Sequence, residues 1–196
     1  MSHESEHQPK PRSWLATALI GNAGLGAVQV VFGVAGGSNT LLSEGVHNSI
    51  DSAGYLMNFH AAGHEKDGNH KKSRQINRIA GWIICSGAAA VSLVAVKDWS
   101  HPTNSPSFNE QMFLYSGAAL NTGVTAGLHP HSHQGGAHRM GWLHAASDVA
   151  GSAINSLGMY LSSRGMANAD QIAAIASSAV YIAFNYPTEA RITHGH

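Results

Sequence analysis

Six stretches of the chain are nearly free of charged side chains, and polar segments separate them. Positions 1–13 form a polar run with His3, Glu4, Glu6, His7, Lys10 and Arg12, too acidic for the start of a signal peptide. No charge occurs from Ser13 to Ser43. Positions 14–36 suffice to cross a bilayer, which takes about 20 mostly apolar residues, and Gly36-Gly37 then supplies a tight turn. Further apolar runs cover 41–62, 79–96, 111–128, 140–161 and 171–185, the last ending before Pro187. Between them lie 63–78, read as a solvated loop, and 97–110 with Pro102 and Pro106. A histidine-rich segment at 129–139 and a short turn at 162–170 follow. The pattern predicts an all-α membrane protein of six transmembrane helices over 14–186, with polar tails at 1–13 and 187–196.

Six spans put both termini on one side, and the basic residues test that arrangement independently. Lys10, Arg12, Lys66, Lys71, Lys72, Arg74, Arg78, Arg139 and Arg191 fall on the side of the termini, and only Lys97 and Arg164 on the other. Basic residues collect on the cytoplasmic face of membrane proteins, so both termini are expected in the cytoplasm. A soluble bundle would need charges along the outer face of each helix. Only 11% of this chain is charged, against roughly 25% in an average soluble protein. The mean hydropathy of −0.09 is low for a membrane protein; the Gly, Ala and Ser of close-packed membrane helices account for it. Acid and base balance, so nothing points to nucleic acid. The single cysteine, Cys85, excludes an internal disulfide. The expected location is the cell (inner) membrane.

Charge inside the runs is rare enough to be informative. His47 and Asp51 stand four apart in the second run, and His144 and Asp148 repeat the spacing in the fifth. Four residues on a helix is about one turn, so each imidazole lies beside its own carboxylate. Chance at this composition yields roughly a third of one such pair, so the repetition carries the signal. Two helices facing each other with these residues offer two nitrogens and two oxygens, a tetrahedral set suited to Zn²⁺. Imidazole mixed with carboxylate favours Zn²⁺ over Mg²⁺ or Ca²⁺, which prefer oxygen alone. An ionised carboxylate at membrane depth needs a compensating charge. A cation supplies it, and protons do so in the cation's absence. Ligands bind metal only when deprotonated, and that competition is the physical basis of a metal–proton antiporter. The competing reading of each motif is a His–Asp pair that merely holds a helix together, which explains one motif but not two.

The stretches GSNTLLSEGVHNSID and LHAASDVAGSAINSLG resemble the second and fifth transmembrane helices of the cation diffusion facilitators. The marks of helix two in that family are matched by Gly37-Ser38, by Glu44 three before the histidine, and by His47 with Asp51. His144 and Asp148 match helix five. The resemblance also covers six spans, cytoplasmic termini and a histidine-bearing segment between helices four and five. It implies a divalent-cation transporter of the zinc type, with Zn²⁺ as the carried substrate and Co²⁺, Cd²⁺ or Fe²⁺ as alternatives. Members usually continue into a cytoplasmic metal-sensing domain that dimerises. The sequence ends about a dozen residues after the sixth run, so that domain is expected to be lacking, and a homodimer stays open. Asn22 matches an asparagine often found in helix one, without an assigned role.

The remaining histidines give weaker signals. His129, His131 and His133, with His138, either gather metal before transport or form a plain polar loop. His64, Asp67 and His70 have loose metal-ligand spacing, and the family sometimes holds a second site there; a solvated loop is the simpler reading. His3, His7, His194 and His196 are read as tails. The expected partners are divalent metal ions, protons and the lipid bilayer, and no enzymatic reaction is expected. Two other classes remain: a membrane metal receptor without turnover, and a haem or quinone binder, in which a carboxylate four residues from each histidine is not expected.

Overall fold

The computed structural model describes residues 11–36, 39–97, 99 and 108–188, and these are helical apart from the turns between helices. α1 spans Pro11–Gly36, α2 Asn39–Lys66, α3 His70–Lys97, α4 Phe108–Leu128, α5 Gly136–Ser163 and α6 Ala169–Asn185. A 3₁₀ turn over His129–His131 follows α4. Gly37-Ser38, the terminal histidines, and Pro102 and Pro106 lie outside the described residues.

Segment 63–78, read from its charges as a loop, is mostly helix. α2 continues to Lys66 and α3 begins at His70, so only Asp67, Gly68 and Asn69 turn the chain. Lys, Arg, Gln and Glu are good helix formers, and nothing in the segment breaks a helix before Gly68. That glycine takes a φ of 75°, a left-handed conformation that costs other residues. Asn69 then caps α3 by accepting a hydrogen bond from the Lys72 N–H at 3.2 Å. The helices therefore extend beyond the apolar runs, and their charged ends reach past the apolar body of the bundle.

Neighbouring helices pack in a closed ring, in the order α1, α2, α3, α6, α5, α4, and α2 also meets α5 across the middle. The two helices that carry the His-x-x-x-Asp motifs thus face each other. At the end of the bundle where α1 starts, a plug of Leu15, Ala18, Tyr55, Val124, Leu128 and Ala145 is almost fully buried. The outside is apolar along much of its length: Ile20, Val31, Val34, Leu93, Val96 and Leu157 are all exposed. Two helices, over Arg12–Phe32 and His70–Lys97, are long and apolar enough to cross a membrane.

Candidate metal centre

His47 and Asp51 sit one turn apart on α2, and His144 and Asp148 one turn apart on α5. The packing of α2 against α5 merges the two pairs into one cluster. His47 Nε2 lies 3.3 Å from Asp51 Oδ2. His144 Nε2 lies 3.4 Å from Asp51 Oδ1 and 3.8 Å from Asp148 Oδ2. One ligand atom from each of His47, Asp51 and Asp148 falls within 4.8 Å of the other two, and among the described residues this is the one such group. A tetrahedral zinc site with bonds of about 2.0–2.1 Å has ligand atoms about 3.3–3.4 Å apart. The contacts made by both histidines with the aspartates are already near that spacing.

Burial is almost complete. His144 is 0% exposed, and Asp51 and Asp148 are each 1% exposed. No well-aligned hydrogen bond reaches the four aspartate carboxylate oxygens among the described residues, and the Tyr55 hydroxyl is the donor beside Asp148. An ionised carboxylate so enclosed is expensive unless a cation or a proton joins it. The chemistry of the donor set therefore fits a divalent cation with nitrogen and oxygen preferences.

Aromatic and small residues shape the cluster, and no pattern in the sequence singles out the aromatic ones. The Tyr55 ring packs on His144 with centroids 4.6 Å apart, and the Tyr181 ring packs on His47 at 4.8 Å. Glycines leave room around the cluster. A Cβ on Gly54 would stand 2.9 Å from Ile84 Cδ1 and 3.9 Å from His144 Nε2, and one on Gly151 would collide with the Tyr181 hydroxyl. Buried amides brace the frame. Asn48 donates to Gln29 Oε1 at 2.6 Å, joining α2 to α1, and Asn185 donates to Ser147 Oγ at 2.9 Å, joining α6 to α5 beside His144. Asn22 is buried and reaches Asn121 Oδ1 on α4 at 3.5 Å. Their sequence signal was polarity inside apolar runs, which does not by itself separate bracing from ligation.

The other candidate ligands do not gather into a comparable cluster. Asp67 and His70 are exposed at the α2–α3 turn, and His64 is half-buried near the end of α2. His133 is exposed, and the exposed His129 stacks on Trp142 at 5.6 Å. The histidine-rich segment is nevertheless not a plain polar loop, because His131 and His138 are buried. Burial, with His131 and Arg12 nearby, pushes His138 down to about 4, so its imidazole is neutral at physiological pH.

No protein-family model and no curated protein sequence matches the chain. The likeness to cation diffusion facilitators therefore rests on the two motifs and their placement.

Proposed function

We propose that the protein is a six-span membrane transporter of divalent cations, with Zn²⁺ its first substrate, which exchanges the metal for protons across the cell (inner) membrane. The observation that carries this reading is the cluster of His47, Asp51, His144 and Asp148, whose buried carboxylate oxygens meet no well-aligned donor among the described residues. A structural ion pair would be expected to satisfy its own acceptors. Here they converge on one another, and only a cation or protons make the set neutral.

The membrane part of the reading draws on several features. The two long apolar helices have only 28% and 33% of their apolar windows buried inside the protein, whereas the core helix of a soluble protein would be mostly covered. Exposed Ile20, Val31, Leu93 and Leu157 suit a lipid boundary. The nine-to-two division of basic residues favours termini in the cytoplasm. In that orientation the apolar plug faces the cytoplasm and the other end of the bundle faces outward.

Proton coupling follows from the ligands. Asp and His coordinate metal only without their protons, so an incoming proton expels the ion and an incoming ion displaces protons. An inward-directed proton gradient would then drive zinc export. The test is zinc flux into vesicles reconstituted with the full chain. The Asp51→Ala, Asp148→Ala double variant should lose flux by about a hundredfold or more, since both anionic ligands go. Proton-dependent flux at the wild-type rate in that variant would overturn the reading. Tight zinc binding without flux in the wild-type protein would favour a receptor.

A further inference from the structure

We propose that Glu44 heads a second, outer cation station, where a partly dehydrated divalent ion is held by oxygen ligands on its way between the outside and the His/Asp centre; this rests on the transport reading above. A narrow cleft lies in the half of the bundle where α1 finishes and α2 and α4 begin. Its walls include Gln29 of α1, Glu44, His47 and Asn48 of α2, Asn121 of α4 and Asn155 of α5. For a path among apolar helices this lining is unusually polar.

The cleft is continuous with the centre through one residue. His47 lines it and also stands 3.3 Å from Asp51. Its side chain is 16% exposed, whereas those of Asp51 and His144 are sealed. Glu44 precedes His47 by three residues and Asp51 by seven, so all three lie on one stripe of α2, one turn after another. An ion that reaches Glu44 is then about one helical turn, roughly 5 Å, from the first imidazole. Among the described residues, Tyr55, Leu15, Leu128 and Met140, all 0–1% exposed, close the bundle on the other side of the centre.

Chemistry separates the two positions. Among the described residues no lysine or arginine forms an ion pair with Glu44, so its carboxyl group meets the cleft without a basic partner. Around Glu44 itself the lining offers one carboxylate and amide oxygens, hard ligands, with the His47 imidazole only at the inner side. Asn48 and Gln29 are held in place by their hydrogen bond. Such a set binds a partly dehydrated cation, weakly and with little preference among Mg²⁺, Mn²⁺ and Zn²⁺, since the narrow cleft has room for only a water or two beside the ion. Selection for zinc would fall to the imidazoles below. The station's work is to raise the local cation concentration and to start dehydration.

The experiment uses the purified full chain in lipid nanodiscs, with Mn²⁺ binding read by electron paramagnetic resonance and zinc kinetics by stopped flow. The Asp51→Asn, Asp148→Asn variant should lose tight zinc binding yet keep one weak Mn²⁺ site. Adding Glu44→Gln to it should weaken that site about tenfold. On its own, Glu44→Gln should slow zinc association and dissociation together by about tenfold at low salt. A station on the route changes the barrier and not the end state, so the equilibrium affinity should move less than about threefold. High salt should shrink the difference, and Glu44→Asp should restore the rates. Absence of a Mn²⁺ site in the double variant, or unchanged zinc kinetics in Glu44→Gln, would overturn the proposal. So would loss of tight zinc binding in Glu44→Gln, which would make Glu44 a ligand of the centre itself. Tight zinc binding retained by the Asp51→Asn, Asp148→Asn variant would instead bring down the transport reading, and this inference with it.

Discussion

At the scale of residues, the protein places histidines in two opposed electrostatic settings. In the centre, imidazoles meet carboxylates at 3.3–3.8 Å. At the cytoplasmic end in the proposed orientation, His138 is buried beside His131 and Arg12, and its pKa falls to about 4. The two settings respond differently to acid. His138 is neutral in the folded protein down to about pH 4, whereas an unfolded histidine takes up a proton near pH 6.5. Between these values the unfolded chain binds more protons, so stability falls as pH drops from about 6.5 to 4 and does not fall further below that on this residue's account. The loss from this residue amounts to roughly 3 kcal/mol. Thermal unfolding in detergent across pH 7 to 4 should show it, and His138→Gln should flatten that part of the curve. An unchanged acid slope in the variant would remove His138 as its source.

At the scale of elements, one side chain ties three helices together. Glu65, near the end of α2, accepts a hydrogen bond from Ser73 Oγ of α3 at 2.9 Å and from the backbone N–H of Ala137 at 3.1 Å. Ala137 lies in the first turn of α5, where unsatisfied N–H groups and the helix dipole favour a negative charge. Gly135 leaves the room, since a Cβ there would run into the Glu65 carboxylate. Loss of both bonds should cost about 1–3 kcal/mol. Glu65→Ala should therefore lower the unfolding midpoint, while Glu65→Gln, which keeps an acceptor, should recover part of the loss. Because the contact holds α5 relative to α2, and those helices carry the two motifs, the destabilised variant should also bind zinc less tightly. Equal midpoints for wild type and Glu65→Ala would show that the contact carries no net stability.

At the scale of the whole molecule, the ring of helices puts the described turns at its two ends. In the proposed topology the α2–α3 turn faces the cytoplasm and the α5–α6 turn faces outward. Asp67 and Met166 are exposed representatives of the two turns. After replacement of Cys85 by Ala, Asp67→Cys should be shielded from an impermeant thiol reagent in intact cells, and Met166→Cys should be labelled. The opposite pattern would reverse the orientation. Labelling of both would argue against a membrane between the two ends.

The sequence alone marked the six helical regions and the two His-x-x-x-Asp pairs, for reasons that act locally. Long uncharged runs leave a helix as the economical way to satisfy the backbone, and a spacing of four fixes each His beside its Asp on one face. Local signals were poorer at the ends of helices, where solvated charges look like a loop yet carry high helix propensity, as in 63–78. Only the tertiary structure decided what lies between helices. It brought Asp51 of α2 within 3.4 Å of His144 of α5, set Tyr55 and Tyr181 on the two imidazoles, and opened a cleft beside Glu44 while closing the other end with Leu15 and Leu128. No periodicity along one helix encodes such partners. They follow from which faces meet when six helices close into a ring, and a polar residue in an apolar run becomes a brace, a ligand or a passage wall only then.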